Sequence, residues 1–457
     1  MTDRGLRGGR GARTVKYFPE GPRRVPFQVL RGFRDYPPPD AGARSEIRRR
    51  MRVVARRAGY TELEAPCVES FELYQVKSGE GIAAETWLFR DKGNRAVALV
   101  SETTPSLARI FTDRAKAEPM PVKWFTLQKV WRYEEPQAGR TREFLQFNLD
   151  ILGVPGVEAE TDLLATAALV LDEVGASGLY AFRVSDRAIA EGLGRLYGAR
   201  DMTRFFRAVD RYHKIPPAEF EGELGAAGIP ADRVGELEAF FESVGQGVAP
   251  DALAGFLDAL GTRGLDEAAR AGLERVRALF ALLDRAGLSD RVVFDPTVVR
   301  GLAYYTSTVF EAYARDGDGR AIFGGGRYDH LIELFEGPPT PAAGLAIGDQ
   351  TLEILLRGHG RWPEGEPPID TYVVVVDPTQ RPEAVEIVQE LRRAGVSADC
   401  DLLSRSMSRQ LREAARRRSR RALIVGLKEA APGTVVERDL ATGEQREVAR
   451  SSVGRPG

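Results

Sequence analysis

The sequence is poor in the residues that build disulfide frameworks and metal sites. Its 457 residues include two cysteines, Cys67 and Cys400, and three histidines, His213, His330 and His359. The cysteines are far apart and the histidines have no ligand-like spacing, so we expect neither a disulfide scaffold nor a metal held by protein side chains. So little cysteine is typical of proteins that work in a reducing cytoplasm.

Long apolar runs and a strong charge of either sign are lacking as well. No stretch approaches the ~20 apolar residues of a membrane-spanning helix, and the N-terminus has no apolar secretion signal. We therefore expect a cytoplasmic protein without a membrane partner. The formal net charge of −1 does not by itself indicate a nucleic-acid-binding protein. A content of 43% hydrophobic and 29% charged residues is ordinary for a soluble, multidomain chain.

Basic residues are concentrated at the start of the chain. Residues 1–34 contain nine lysines and arginines against Asp3 and Glu20. We predict that residues 1–24 form a basic, flexible tail. Such a tail can reach nucleic-acid phosphates, or it can simply keep the chain soluble.

Changes in residue pattern predict a fold of the α+β class. Residues 25–184 and 290–357 contain hairpin-forming strands and should build one antiparallel-sheet domain. Between them, residues 185–289 are rich in Ala, Leu, Glu and Arg and predict a helical insertion. The linker Gly358–Pro368 leads to residues 369–457, where strands alternate with helices and predict a small α/β domain.

One hairpin carries the most information, KVWRYEEPQAGRTREFLQFNLDILG. We expect strands from Phe125 to Arg132 and from Phe144 to Leu152, joined by a polar, basic loop. Arg132 and Glu134 are two residues apart and should face the same side of the sheet. An arginine can grip a phosphate with two hydrogen bonds while a carboxylate accepts from an amino group, so the pair fits a nucleotide. A plain hairpin with a solvated loop explains the same residues.

This hairpin resembles motif 2 of the class II aminoacyl-tRNA synthetases, and RYEEPQAGRTREF resembles the histidine-specific family among them. Members of that family use ATP to convert histidine to histidyl-adenylate. They then pass the histidyl group to the tRNA for histidine. The resemblance extends over nearly the whole chain from Arg31 onward. It implies ATP as a substrate, accompanied by Mg²⁺. The ATP-binding residues that it implies are Arg132, Glu134, Arg140, Arg142 and Gly348.

A helix and strand near the start resemble motif 1 of the same family. The helix should run from Asp40 to Ala58, with Gly59 after its end, and the strand from Tyr60 to Pro66. Motif 1 forms a dimer interface in the family, so the resemblance implies a homodimer. Packing into the core of a single chain is the alternative.

Two further segments resemble parts that bind the amino acid. In SETTPSLAR, Glu102 matches the residue that meets the substrate ammonium group, with Thr104 beside it, since an ammonium leaving water must be paired. Glu102 could equally stabilise a helix N-terminus. In the second strand of motif 2, Gln146, Asn148 and Asp150 share one face, and Gln146 and Asp150 match contacts to histidine.

The most specific resemblance is VVRGLAYYTSTVFE, a block that marks the histidine-specific family. Arg300 is implied as a catalytic residue together with Arg132, because fixed positive charge stabilises the charge that develops on the α-phosphate. Tyr304 and Tyr305 are implied to line the imidazole pocket, although paired tyrosines in a strand are usually core residues. The second block, AIFGGGRYDHL, adds the substrate-binding residues Gly324, Gly325, Arg327 and Tyr328.

Motif 3 departs from the family pattern. GLAIGDQTLEILL keeps the glycines, but Thr351 stands where the family has an arginine that contacts ATP, and Ala303 replaces an acid of the histidine block. Loss of a charged hydrogen bond costs ~1.5–3 kcal/mol. Thr351 favours one alternative, a paralogue that regulates histidine biosynthesis without catalysis, whereas the retained Arg300 block favours the enzyme. A second alternative is an enzyme that activates an amino acid for an acceptor other than tRNA.

The last domain resembles the anticodon-binding domain of this synthetase group. Its segment DLLSRSMSRQLREAARRRSRRALIVG contains Arg405, Arg409 and a run of arginines within residues 416–421. These side chains can contact RNA phosphates or bases. A solvated helix face would look the same in the sequence.

Overall fold

A computed structural model describes residues 27–453, apart from residues 79, 138, 301–303, 317–320, 366–368 and 427–432. The predicted basic tail, residues 1–24, and Ala303 lie outside the described residues. The described residues fall into two compact units. One takes those within Met1–Asp35, Val54–Asp172 and Ala176–Gly358, and the other those within Tyr36–Val53, Glu173–Gly175 and His359–Gly457.

The first unit is built on an eight-stranded sheet and a smaller three-stranded one. In chain order the strands of this unit are β1 (Thr61–Glu62), β2 (Val68–Ser70), β3 (Leu88–Arg90), β4 (Ala96–Leu99), β5 (Val122–Trp131), β6 (Glu143–Leu152), β7 (Tyr180–Asp186), β8 (Val292–Phe294), β9 (Thr308–Ala314), β10 (Ala321–Arg327) and β11 (Ala342–Gly348). The large sheet has the order β1-β5-β6-β11-β10-β9-β7-β8, and the small one β2-β4-β3.

Antiparallel pairing dominates the large sheet, as the hairpin pattern predicts. The pairs from β5 through β6, β11, β10 and β9 to β7 are all antiparallel. Only the two outermost pairs, β1 with β5 and β7 with β8, are parallel. The predicted α+β class is therefore confirmed. The strand predicted over Tyr60–Pro66 is shorter in the structure, where only Thr61–Glu62 pair with β5.

Small residues occupy the middle of the large sheet. Across β6, β11 and β10 the register places Asp150 opposite Gly344 and Gly344 opposite Gly326, and Asn148 opposite Ala346 and Ala346 opposite Gly324. A residue without a side chain lets neighbouring groups approach the backbone closely. Polar side chains of β6 thus stand beside an open strip of sheet, which leaves room for a ligand.

Apart from the first helix, most of which belongs to the second unit, the helices of this part of the chain pack around these sheets or form a separate insertion. In chain order they are α1 (Pro38–Arg57), α2 (Phe71–Ser78), α3 (Thr104–Arg114), α4 (Glu158–Leu171), α5 (Arg187–Tyr197), α6 (Met202–Arg211), α7 (Pro217–Ala226), α8 (Ala231–Val244), α9 (Pro250–Gly261), α10 (Glu267–Arg285), α11 (Leu331–Leu334) and α12 (Asp349–Gly358). Helices α5 to α10 follow one another between β7 and β8, so the predicted helical insertion is present.

Two features of the sequence stabilise the insertion: three of its helices have capped N-terminal ends, and apolar side chains are buried between the helices. Asp186, Asp201 and Asp266 accept backbone N–H groups at the starts of α5, α6 and α10, which satisfies donors that a helix leaves free. Buried side chains such as Phe205 and Leu237 fill the space between the helices. Burial of this kind stabilises by roughly 1.5–3 kcal/mol per large apolar side chain.

The second unit contains a five-stranded sheet with two helices after its first strands. Its elements are β12 (Thr371–Val375), α13 (Arg381–Arg393), β13 (Ala398–Cys400), α14 (Met407–Arg416), β14 (Arg421–Val425), β15 (Thr434–Asp439) and β16 (Gln445–Ala449). β12 pairs in parallel with β13 and β14, and β15 and β16 form the predicted hairpin. The predicted small α/β domain is confirmed.

The two compact units and the predicted domains group some residues differently. Tyr36–Val53 and Glu173–Gly175 group with the C-terminal residues, whereas the sequence assigns them to the sheet domain. The division therefore falls inside α1. The predicted domain boundaries stay a prediction, because grouping by proximity does not define a unit that folds alone.

None of the described helices has the length and apolarity that crossing a bilayer requires. Nor do the described residues bring three or more His, Cys, Asp or Glu side chains together in a way that could hold a metal ion.

Candidate active site

A large cavity lies over the open strip of the eight-stranded sheet. Its volume is about 970 Å³, enough for a nucleotide and a small second ligand. Most of the predicted site residues line it: Glu102, Thr104, Arg132, Glu134, Arg140, Gln146, Asp150, Arg300, Tyr304, Tyr305, Gly324, Tyr328 and Gly348. Three predicted residues, Arg142, Gly325 and Arg327, are not among the lining residues.

The polar row of β6 forms the buried floor. Gln146, Asn148 and Asp150 are only 6%, 3% and 2% exposed. Within the described part of the chain, Gln146 Oε1 and Asn148 Oδ1 have no hydrogen-bond partner. A buried polar atom left unpaired costs about 1–3 kcal/mol. The floor is therefore suited to a ligand that donates hydrogen bonds.

Tyr328 holds Asp150 from the side. Its hydroxyl donates a hydrogen bond to Asp150 Oδ1, and burial, together with the Asp150 charge, raises the pKa of Tyr328 well above its ordinary value. The phenol thus stays neutral and remains a donor. A Cβ atom on Gly344 would collide with both Asp150 Oδ1 and the Tyr328 hydroxyl, so glycine is required beside this pair.

Three tyrosine rings wall the same end of the cavity. The ring centroids of Tyr304 and Tyr305 are 4.6 Å apart, and those of Tyr304 and Tyr328 are 5.9 Å apart in an edge-to-face arrangement. Tyr305 and Tyr328 also belong to a hydrophobic core cluster. These tyrosines line the cavity and pack against the core at the same time, and their contact with imidazole stays a prediction.

Arg300 is a half-buried cation in the wall of the cavity. Its Nη1 donates to Glu311 Oε1, and the Tyr313 hydroxyl donates to the other oxygen of Glu311. Burial alone would lower the pKa of Arg300, but Tyr305 and Glu311 outweigh it and raise the pKa above the ordinary arginine value. A Cβ atom on Gly324 would overlap the Arg300 guanidinium. The guanidinium of Arg300 therefore fits beside β10 because Gly324 has no side chain.

The motif 2 loop supplies exposed charges at the mouth of the cavity. Arg132 Nε donates to the Ser101 carbonyl at 3.1 Å, and Arg140 Nη1 donates to Glu134 Oε2 at 3.0 Å. The Arg132 Nη1 atom lies 3.9 Å from Glu134 Oε1. Arg132 follows the end of β5 instead of belonging to it, yet it still faces the same cavity as Glu134.

The three predicted residues outside the cavity have structural partners. Arg327 donates from Nε and Nη2 to the buried carboxylate of Glu160, at 2.7 Å each. Arg142 donates from Nε to the Glu134 carbonyl at 3.1 Å and stacks over the Tyr133 ring. The position of a Cβ atom on Gly325 points to the Gly344 carbonyl and Phe310, on the opposite face from Gly324.

The cavity also has a wall that the sequence did not predict. Residues from β7, the helical insertion and the segments around it line this wall: Arg183, Asp210, His213, Lys214, Gln246, Asp295, Glu311 and Tyr313. Arg183 Nη1 donates to the buried Asp295 at 3.0 Å. Glu311 lies inside the block VVRGLAYYTSTVFE, so that motif offered a signal for it. No spacing in the sequence links the insertion residues to the sheet.

Motif 3 reaches the cavity without its arginine. Gly348, Gln350 and Thr351 line the wall where β11 passes into α12. The position of Gly348 is open, since a Cβ atom there would meet no atom within 4 Å. The missing cation at Thr351 is thus a real difference in the lining of the cavity.

Sequence comparisons place the chain close to known enzymes. A model of the family described as "Histidyl-tRNA synthetase" matches residues 32–352, and one described as "Anticodon binding domain" matches residues 370–455. The chain is 37% identical to the histidine–tRNA ligase of Natronomonas pharaonis over 92% of this chain and 96% of that protein. It is 39% identical to that of Halobacterium salinarum, over 92% of this chain and 95% of that protein.

Structural comparisons agree on the fold. The crystal structure of histidyl-tRNA synthetase from Nostoc sp. PCC 7120 matches with a TM-score of 0.80 and 24% identity, over 94% of this chain and 98% of that one. A Bacillus halodurans protein titled an ATP phosphoribosyltransferase regulatory subunit/histidyl-tRNA synthetase matches with a TM-score of 0.69 and 20% identity, over 84% and 95% of the two chains. At these identities the structural matches bear on the fold alone.

Proposed function

The chain belongs to the histidyl-tRNA synthetase family and is a histidine–tRNA ligase, and from that premise we propose how its cavity performs the reaction. The observation that carries the proposal is that one cavity brings together Arg300, the basic hairpin loop and the polar floor of β6. We propose that histidine and ATP bind there side by side, in the manner of a class II synthetase.

Histidine fits the floor and the tyrosine wall. Glu102 and Thr104 at the start of α3 supply an anion and a hydroxyl for the α-ammonium group. The imidazole lies against Tyr304 and Tyr305, and one of its N–H groups donates to Asp150, which Tyr328 holds in place. Gln146 Oε1 accepts a further hydrogen bond from the substrate. The contact at Gln146 Oε1 satisfies a buried atom for which the described residues provide no hydrogen-bond partner.

ATP fits the mouth of the cavity and the open strip of the sheet. Arg132 and Arg140 contact phosphates, Glu134 accepts from the adenine amino group, and the open position at Gly348 lets the nucleotide approach β11. Mg²⁺ would enter with the phosphates of ATP, whose oxygen atoms are ligands that it prefers. We propose a cytoplasmic location, because two cysteines in 457 residues are typical of proteins in a reducing cytoplasm.

Arg300 provides the charge for the chemical step. A carboxylate oxygen of histidine attacks the α-phosphorus of ATP, a new P–O bond forms, and the bond to the β-phosphate oxygen breaks to release pyrophosphate. The terminal ribose hydroxyl of the tRNA then attacks the acyl carbon and AMP leaves. Negative charge grows on the α-phosphate oxygens during the first step, and a fixed cation that costs no reorganisation stabilises it.

Asp150→Ala tests the histidine pocket. We expect the KM for histidine in ATP–pyrophosphate exchange to rise at least about tenfold, since a hydrogen bond to a charged group contributes ~1.5–3 kcal/mol. The KM for ATP should change little. Exchange assayed against each substrate in turn measures both values. The unaltered protein must show exchange that depends on histidine, and a variant with an unchanged histidine KM would remove Asp150 from the pocket.

We further propose that the chain forms a homodimer through the motif 1 region, α1 and β1. Light scattering at micromolar concentration should give a mass twice the 50.2 kDa of the chain. A particle of the mass of one chain at that concentration would contradict the dimer. Substituting Val53, which is 38% exposed on α1, by aspartate should then shift the mass towards that of one chain.

The two alternative functions weaken against these findings. Relatives over 36% identical along most of the chain are named histidine–tRNA ligases, and the anticodon-binding domain is present. A regulatory subunit has no need of that domain, and an enzyme with another acceptor has no need of it either. Thr351 remains the feature that departs from the family, but Arg132, Arg140 and Arg300 stay in the cavity.

A further inference from the structure

Arg187 is bound to the chain on both sides of the Arg300 segment. Its Nη1 donates to the carbonyl oxygens of Val299 and of Arg300, at 3.2 Å each. Its backbone N–H donates to the Ser307 carbonyl at 3.0 Å, directly before β9. One residue of the helical insertion thus fixes the backbone of the catalytic arginine and the start of the strand that follows.

The helix itself gives no reason for an arginine at this place. Arg187 is the first residue of α5, which has no acidic residue in its first turn. The N-terminus of a helix carries partial positive charge, so a cation there opposes the helix dipole. The guanidinium also packs over the Phe206 ring at 4.3 Å, and burial lowers the pKa of Arg187. A residue that serves only helix stability would be Asp, Glu or a neutral side chain.

The backbone that Arg187 grips is a strained one. Arg300 has φ of 53°, in the left-handed region that residues other than glycine rarely adopt. Such a conformation persists only where neighbouring groups enforce it. The guanidinium of Arg300 in turn packs against the bare backbone of Gly324 and is bound by Glu311. A small rotation of the Arg300 backbone would therefore carry its charge out of position.

We propose that Arg187 is a positioning residue for adenylate formation, holding the backbone of Arg300 so that its guanidinium faces the α-phosphate. This inference rests on the proposed role of Arg300. It predicts that Arg187 affects the chemical step through Arg300 and leaves the binding of histidine unchanged. The helical insertion then takes part in catalysis as well as in building a wall of the cavity.

A double-mutant cycle tests the proposal on the full-length protein. We expect Arg187→Gln to lower kcat of ATP–pyrophosphate exchange by on the order of tenfold to a hundredfold, because misplacing a reacting group by about 1 Å has effects of that size. The KM for histidine should stay within about twofold. In the background of Arg300→Ala, Arg187→Gln should cause no further loss, since two residues that act as a unit are not additive.

Two more variants separate positioning from folding. Arg187→Lys keeps a donor for the carbonyl groups and should recover part of the lost kcat. Arg233→Gln is the matched control, because Arg233 also donates from the helical insertion to a backbone carbonyl, that of Leu196 at 3.4 Å, away from Arg300. It should leave kcat unchanged. The thermal midpoint of each variant reports any loss of folding.

The outcomes distinguish this inference from the proposed function. If Arg300→Ala exchanges at the normal rate, the proposed function of Arg300 fails. If Arg300→Ala is impaired while Arg187→Gln is fully active, the inference fails alone. Equal losses from Arg187→Gln in both backgrounds would also overturn it, because Arg187 would then act independently of Arg300.

Discussion

Arg300→Ala is expected to lower the rate of histidyl-adenylate formation by about 10²–10³-fold, the usual effect of removing one preorganised donor from a developing anion. The binding of histidine should persist, because the floor of Gln146 and Asp150 does not depend on the Arg300 side chain. Single-turnover formation of pyrophosphate measures the first effect, and the KM for histidine in exchange reports the second.

Glu311→Gln is a useful companion to this variant. Glu311 accepts hydrogen bonds from Arg300 and Tyr313, so the amide keeps the shape of the contact and removes its negative charge. A loss much smaller than that of Arg300→Ala would assign the effect to the arginine charge itself. Near-normal adenylate formation by Arg300→Ala would contradict the proposed chemistry.

Removing three arginines from α14 is expected to impair tRNA charging and to spare adenylate formation. Arg409, Arg412 and Arg416 are exposed and share one face of this helix by their spacing. If they meet RNA phosphates, replacing all three by glutamine should lower kcat/KM for tRNA on the order of 10²-fold at moderate salt. The dependence of tRNA binding on salt should weaken by about one ion for each arginine.

Two controls sharpen the result. The same charge change, made at Arg392 and Arg393 of α13 and at Arg446 of β16, removes equal charge from exposed residues outside α14. Equal losses from both triple variants would mean that net charge, not the face of α14, governs binding, and unchanged charging would make the α14 arginines a solvated face. Deleting residues 369–457 is a blunter test, because Tyr36–Val53 group with the C-terminal residues in one compact unit.

Local patterns made much of this molecule predictable. The hairpin of β5 and β6, the face shared by Gln146 and Asp150, and the strand–helix alternation of the last domain all follow from periods of two and 3.6 residues. The antiparallel sheet and its glycine-rich strand β10 could also be predicted, because each of the motifs involved lies within one continuous segment of the sequence. The cavity floor could therefore be placed before the fold was known.

Contacts between distant segments could not be read in this way. Asp210, His213 and Lys214 reach the cavity from a helical insertion whose own sequence carries no motif for the site. Arg327 matched a binding position by its neighbours in sequence, yet its strand position directs it to Glu160, 167 residues away. Which way a side chain turns, and which long-range partner meets it, depends on the packing of the whole unit.

The pair of Arg327 and Glu160 also constrains how this family can diverge. Both side chains are almost fully buried, 4% and 0% exposed, and Arg327 also pairs with Asp329 at 3.1 Å. Losing Arg327 would leave the buried Glu160 charge without its cation, which costs roughly 3–5 kcal/mol. That is a large part of the ~5–15 kcal/mol by which a domain is stable. A single substitution at either position is expected to be selected against because it destabilises the fold. A joint change to two apolar residues of matching volume is expected to be tolerated. Across descendants these two positions are expected to change together or to stay as they are.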